Sequence, residues 1–473
     1  MTQDILGEGT SGGPRQVALD IMCLLIGIIL IVFHWPVLAA AIVREERIGP
    51  VPEHILAMAV SADANHVVWI VDGAKQRELW VDGIKGSEYD GIHKESLRWS
   101  ADGRRLVYAA TKGRQWVVVD SGREGSEYDS IDGRSIQLST DGHLAYRARK
   151  GQKWVVVLDG NEGLARDWIV DGSLVLSDKG GALIYAVGKS PRFSVVVNGR
   201  ESPEYDDIMG ALLSRSPDGK RWAFIAREGT ESRVIVDGIR GPAYDRIAPM
   251  RPLFSPDGTR LAYLAMKGKK GRLVLDGKEG PESDDLSPPV FSADGKHIAY
   301  AARDAGECFI VVDGRPGPHY DVVDGHMALS ADGGIVVYKA TKGRKHFVVA
   351  NGVEGPAYDE SGFQGFGKTS TLLSPDGKHV AYVATRNQIA RMVVDGREEP
   401  EYEGIGHHMP RFSPDGRHIA YVAEERVVVF DSAECAKFKR IVEDAVAFSA
   451  DGKLHILAVK DDGLYRVTVE AAQ

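Results

Sequence analysis

One octapeptide in this chain has the spelling of a phosphate-binding loop. Gly362-Phe363-Gln364-Gly365-Phe366-Gly367-Lys368-Thr369 matches G-x-x-x-x-G-K-T at every fixed position. That chemistry needs backbone amides curled around phosphate oxygens, a lysine on the outer phosphates and a hydroxyl on magnesium. It also needs the loop to run from a strand into a helix whose N-terminus faces the phosphates. Here the chain runs through Ser370 and Thr371 into a short apolar stretch and a Ser374-Pro375-Asp376-Gly377 turn. The string reads as a long loop between repeats, with no nucleotide at Lys368.

Two other strings look like chemistry and fail on context. Gly9-Thr10-Ser11-Gly12-Gly13 fits the G-x-S-x-G of serine hydrolases. It lies in a glycine-rich tail with no strand and helix to expose a nucleophile. His407-His408 is the one adjacent histidine pair, with Glu401 and Glu403 nearby. A metal needs three or four convergent ligands, and this spacing does not fix them. Cys23, Cys308 and Cys435 are too far apart to read as a ligand pair or a disulfide framework. The sequence therefore assigns no catalytic residue, metal or cofactor.

A more systematic signal is an acid that returns after Gly-Pro-Glu-Tyr or a close variant. It falls at Asp90, Asp129, Asp167, Asp206, Asp245, Asp284, Asp321, Asp359 and Glu403. In a ring of repeats, equivalent positions lie on one circle. Asp90, Asp129, Asp206, Asp245, Asp321 and Asp359 are thus the candidate binding face, for a cation or a receptor. The competing reading is that each carboxylate accepts backbone hydrogen bonds in its own turn. The tyrosines before them read as packing between repeats, with hydrogen-bonded hydroxyls. Basic stretches such as Lys112-Gly113-Arg114 and Lys267-Gly268-Lys269-Lys270 read as solvated hairpin tips that could meet an anionic partner.

What must position these residues is a repeat. Ser-x-Asp-Gly, usually after an apolar residue, recurs at Asp63 (with Ala64 for the glycine), Asp102, Asp141, Asp218, Asp257, Asp294, Asp332, Asp376, Asp415 and Asp451, with a degenerate copy near Asp178. The period is about 39 residues, within the range of repeat architectures. An Asp-Gly or Asn-Gly follows at a fixed offset, at Asp82, Asp159, Asn198, Asp237, Asp276, Asp313, Asn351 and Asp395. In Ser255-Pro256-Asp257-Gly258, serine, proline and glycine occupy the positions a type I turn prefers. Arg260–Ala265 is then a short apolar strand, Arg272–Leu275 another, and Asp276-Gly277 opens a hairpin. Strands apolar on both faces must be covered on both faces. Four short strands per module of this kind describe a propeller blade.

The motif (F/L)-S-P-D-G-(K/R)-x-(I/L/V/W)-A-(Y/F), best formed at Ser216, Ser255, Ser374 and Ser413, resembles the TolB-type, WD40-like β-propeller repeat of bacterial proteins. The resemblance covers nearly everything from residue 55 onward. It departs from the WD40 pattern in lacking a Gly-His and Trp-Asp pair per blade. It implies a fold and an interaction scaffold, not a reaction. The expected fold is all-β: a β-propeller of about eleven four-stranded blades over residues 48–473. Because single rings commonly hold four to eight blades, two tandem rings are expected, with no boundary located.

Ahead of the repeats, Ile21 to Val43 carries no Asp, Glu, Lys or Arg. As a helix it would span roughly 34 Å, enough for a bilayer core. The reading is a 20-residue tail followed by a transmembrane anchor, or a signal segment ending at Ala39-Ala40-Ala41. The repeats are expected outside the cytoplasm, in the periplasm or at the cell surface. A net charge of −9 argues against nucleic acid. The functional expectation is a membrane-tethered scaffold that binds a protein and catalyses nothing. The alternative is a hydrolase or lyase with a polar site at a channel mouth, since fold alone does not decide function.

Overall fold

The computed structural model describes residues 41–472, apart from 180, 190, 210–211, 360–370, 387–388, 406–409 and 462. Each module folds from its turns outward. In blade 6 the Gly258 amide donates to the Ser255 carbonyl at 2.8 Å, closing the first turn. Gly258 takes a φ of +73°, which glycine adopts at no steric cost. Ser255 Oγ donates to Asp257 and accepts the Arg260 amide at 3.0 Å, so the turn hands directly into the next strand. The later hairpin turn has φ of +52° at Asp276 and +77° at Gly277. Two successive positive values define the type I′ geometry that matches strand twist.

These turns produce a four-strand meander. In blade 6 the inner segments Arg246–Ile247 and Leu253–Phe254 pair with Leu261–Lys267, which pairs with Lys270–Leu275, then with the short outer strand Lys278–Glu279. Leu261 to Ala265 are all buried, because a neighbouring blade covers each face of the strand. Eleven such sheets are present. Among the described residues the helical content is limited to the 3-10 turn Lys94–Ser96 and Met209.

The hydrophobic core is not central but lies in the seams between blades. Val68 and Ile70 of blade 1 pack with Val117 and Val119 of blade 2. Ala223 and Ile225 of blade 5 pack with Leu261 and Tyr263 of blade 6. Every consecutive pair shares such a cluster. The last closes the circle, with Val67, Trp69 and Val71 of blade 1 against Leu457, Val459 and Leu464 of blade 11. The expectation of two tandem rings is therefore corrected to one ring of eleven blades. A second ring would need a seam at which consecutive blades part, and no pair does so.

The closing blade also corrects the domain boundaries. Its own module supplies only Arg440–Phe448, Leu454–Lys460 and Gly463–Glu470. The fourth, outermost strand is Ile42–Pro50, antiparallel to Gly463–Glu470 with Ile42 opposite Glu470 and Pro50 opposite Gly463. Val43 packs on the seam towards blade 10 and Ile48 on the seam towards blade 1. The propeller thus begins at Ile42 and not at residue 48, and Ile42 and Val43 belong to it. A three-stranded last blade would leave a row of unpaired backbone groups. The remainder of the proposed anchor or signal segment, residues 21–40, lies outside the described residues, as does the tail before it. Among the described residues no helix is long and apolar enough to cross a membrane.

Candidate functional site

A meander of four strands places its first and third turns on one face of the ring, and its second turn and the link to the next blade on the other. The two faces carry different chemistry. On the first, the carboxylate of the Asp-Gly hairpin reaches back to the strand start. Asp276 Oδ1 accepts the Leu261 amide at 2.8 Å, and the same bond recurs from Val67 to Asp82, Leu144 to Asp159 and Ile298 to Asp313. The second oxygen meets an imidazole or a guanidinium. His66, His143, His297, His379 and His418 bring Nδ1 within 2.6–2.7 Å of Asp82, Asp159, Asp313, Asp395 and Asp431. Arg105, Arg221 and Arg260 do the same with Asp120, Asp237 and Asp276.

These pairs were not singled out in the sequence, although six of the eight are 16 residues apart, with Arg105–Asp120 at 15 and His418–Asp431 at 13. The departures show their logic. Where the cation is replaced by Ala182 or Ile335, the acid is replaced by Asn198 or Asn351, and the amide oxygen still caps the strand at 2.8 and 2.9 Å. A carboxylate without a cation would cost desolvation that a neutral amide avoids. Asp431 holds the His418 imidazole above its ordinary value, and Asp159 does so for His143, through the hydrogen bond first and charge second. Some arginines also donate to the next blade's turn, Arg221 to the Thr259 carbonyl at 2.8 Å and Arg260 to that of Lys296 at 2.6 Å. This face is a belt of hydrogen bonds.

The opposite face carries the sequence-predicted acids. Asp90, Asp129, Asp245 and Asp321 accept the amides of Gly113, Gly151, Gly268 and Gly343 at 2.6 Å, and Asp206 that of Gly229 at 2.7 Å. Each glycine sits in the second hairpin of the blade that follows the acid, a basic turn except at Gly229, which Glu228 and Glu231 flank. The carboxylates are exposed, except half-buried Asp206. Gln76 and the Gly113 amide hold Asp90 below the usual carboxylate range. Backbone pairing puts Asp359 opposite Lys345 at the same place in blade 8. The structure thus arranges these positions on one circle and gives five of the carboxylates an amide to hold. The basic tips are partly paired too: Lys112 to Glu124 at 2.9 Å and Lys150 to Glu162 at 3.1 Å. The tyrosines are buried and meet the next blade's ring edge-on, as with Tyr89 and Tyr108 at 6.0 Å. Tyr244 donates to Glu279 at 3.0 Å, while the Tyr128 and Tyr320 hydroxyls are buried without a partner.

Between blades 7 and 8 this face holds a cavity of about 640 Å³ lined by Asp284, Asp285, Arg303, Cys308 and Asp321 among others. Asp284 is ion-paired to Lys270 at 2.8 Å and Asp285 to Arg303 at 3.3 Å. Cys308 and Cys435 are free thiols, and burial pushes Cys435 up to about 11. On the inner wall, buried Arg147 joins blades 3 and 4, reaching Asp132 at 2.8 Å, the Ile169 carbonyl at 2.7 Å and Asp171. Its counterpart in blade 8 is Lys339, which burial draws down to about 8 against the opposing pull of Asp324. The described residues include no group of three or more His, Cys, Asp or Glu side chains that could hold a metal ion. The 362–369 string, the 9–13 string and His407-His408 lie outside the described residues.

No family model matches the chain, and no curated protein matches it. Among solved structures it is similar to one described as the eukaryotic initiation factor, at 10% identity with a TM-score of 0.41, over 76% of this chain and 90% of that one. The Dos1 propeller matches at 11% identity and a TM-score of 0.30, over 90% and 94%. The Cps50 (Swd1) β-propeller domain of Myceliophteria thermophila matches at 13% and 0.25, over 56% and 96%. The propeller assignment rests on the strand pairing and seams described above.

Proposed function

We propose that this chain is a scaffold of the TolB-type, WD40-like class, tethered to a membrane, that binds a protein partner through a ring face and catalyses no reaction. The observation that carries the reading is how the recurring polar groups are used. On one face Ser–Asp and His–Asp pairs hold their own turns. On the other, Asp90, Asp129, Asp245 and Asp321 each hold one amide and stay exposed. A rigid circle of like charges suits recognition of an extended partner surface. Covalent catalysis would call instead for a nucleophile and base within hydrogen-bond reach.

The tether rests on residues 21–40, apolar and free of Asp, Glu, Lys and Arg. As a helix they would cover about 30 Å, the thickness of a bilayer core. The ring's closing strand starts at Ile42, so such an anchor holds the ring flush against the membrane. We place the ring on the extracytoplasmic side. Photo-crosslinkers at positions 245 and 321 in native membranes should give a discrete protein adduct, and those at positions 220 and 378 on the opposite face should not. Removal of residues 1–40 should release the ring. No adduct from either face, together with turnover of a substrate, overturns the reading.

A further inference from the structure

Eleven near-equivalent modules make departures easy to see, and one falls on the inner wall. The residue before the turn serine is apolar in ten modules, as at Leu176, Phe254, Phe291 and Phe412, and in the remaining one it is Arg215. The position faces a seam: Leu176 and Phe254 are buried, and Arg215 is half-buried. Departures from a consistent pattern concentrate where function overrides stability.

Arg215 also differs in its ion pairing. Arg147, Arg233, Arg272 and Arg391 each meet a carboxylate. Arg215 meets none among the described residues. Its Nε and Nη2 both donate to the Gly219 carbonyl, at 3.0 and 2.7 Å, and its Nη1 is buried without a partner. Burial draws the guanidinium down to about 10 against the opposing pull of Asp237, a carboxylate that is itself ion-paired to Arg221.

A cavity lies beside it. It occupies about 300 Å³ where the inner strands Val175–Leu176, Ser214–Arg215 and Leu253–Phe254 meet, and Ser214, Arg215 and Arg251 line it. Arg251 is exposed and has no carboxylate partner among the described residues. The lining's acid, Asp178, is exposed and makes no ion pair with Arg215 or Arg251 among the described residues. Two guanidiniums with no ion pair among the described residues and a serine hydroxyl suit an oxyanion with two charges, since planar N–H pairs match its oxygens. We infer that this cavity between blades 4, 5 and 6 binds a phosphate-type oxyanion carried by a small molecule.

The test uses the full chain in detergent, with inorganic phosphate as probe against chloride at matched ionic strength, because screening alone shifts surface electrostatics. Arg215→Leu installs the residue that Leu176 supplies one blade earlier. It should raise the unfolding midpoint without phosphate and abolish the further rise that phosphate gives the unsubstituted chain. Arg251→Gln should weaken phosphate binding about tenfold by calorimetry. An Arg215→Leu chain less stable than the parent, or one stabilised equally by phosphate, overturns the site. Stabilisation by succinate and not by phosphate overturns the assigned ligand class.

Discussion

Glu46 and Arg466 stand directly opposite each other across an antiparallel strand pair, carboxylate to guanidinium at 3.0 Å, although 420 residues separate them. Arg466 also donates to the Asn65 carbonyl of blade 1 at 3.0 Å. One side chain thus ties together the chain's first strand, its last strand and its first blade. The ion pair itself is exposed and contributes little. What it marks is a seam whose burial is complete, with Leu464, Val467 and Val469 all at 0% exposure.

That seam should be sensitive to bulk where backbones touch. A Cβ on Gly49 would stand 2.9 Å from both the Asp82 carbonyl oxygen and Gly83 Cα. Gly49→Val should cost about 1–3 kcal/mol in chemical denaturation. Gly404→Ala, which meets nothing within 4 Å, should change little.

The turn serines should be equivalent in energy as they are in geometry. Ser255, Ser374 and Ser413 are buried, and each accepts the amide five residues on, at 2.9–3.0 Å. Alanine at any one leaves that amide without its acceptor. Each substitution should cost about 1–3 kcal/mol, measured by urea unfolding.

The His–Asp pairs predict a direction for pH dependence. His418 and His143 are raised in the folded chain, so their pairs stabilise fully below the unfolded histidine value of about 6.5. That contribution is lost as pH rises through the folded values. As pH rises above about 6.5, stability should fall, and His418→Gln should flatten part of the slope. An unchanged slope would count against the assignment.

The exchange of Asp for Asn opposite an apolar partner predicts a coupled pair. Asn198→Asp should destabilise blade 4, since Ala182 offers the new carboxylate no cation. Ala182→His in the same chain should recover most of that loss, with a coupling of about 1 kcal/mol in a double-mutant cycle. Additive effects would contradict the charge-balance account.

The blades were legible in the sequence because turn chemistry is local. Ser255, Asp257 and Gly258 announce their hairpin within four residues, and so do Asp276 and Gly277. The ring was not legible in the same way. Its closure joins Ile42 to Glu470, and the strand that does so carries no repeat mark. The one available sign was a missing mark: at the offset where other modules carry Asp-Gly or Asn-Gly, the module of Asp451 has Val469-Glu470, and its fourth strand is Ile42–Pro50. His66 with Asp82, and the pairs equivalent to it, recur at nearly constant spacing but could be read only as turn residues until the fold brought two turns to one face. Arg215 escaped for the opposite reason, because a search for matches passes over the module that differs.

The central claim is one ring of eleven blades closed by the N-terminal strand. Directly opposed residues on antiparallel strands lie about 4.5–5.5 Å apart at Cα, inside the range a disulfide spans. A chain carrying Glu46→Cys and Arg466→Cys should, on mild oxidation, form an intramolecular disulfide between these two positions, identified by peptide mass spectrometry of the monomer. Two tandem rings would pair the first strand near mid-chain. Free thiols at positions 46 and 466 after oxidation would contradict the single closed ring.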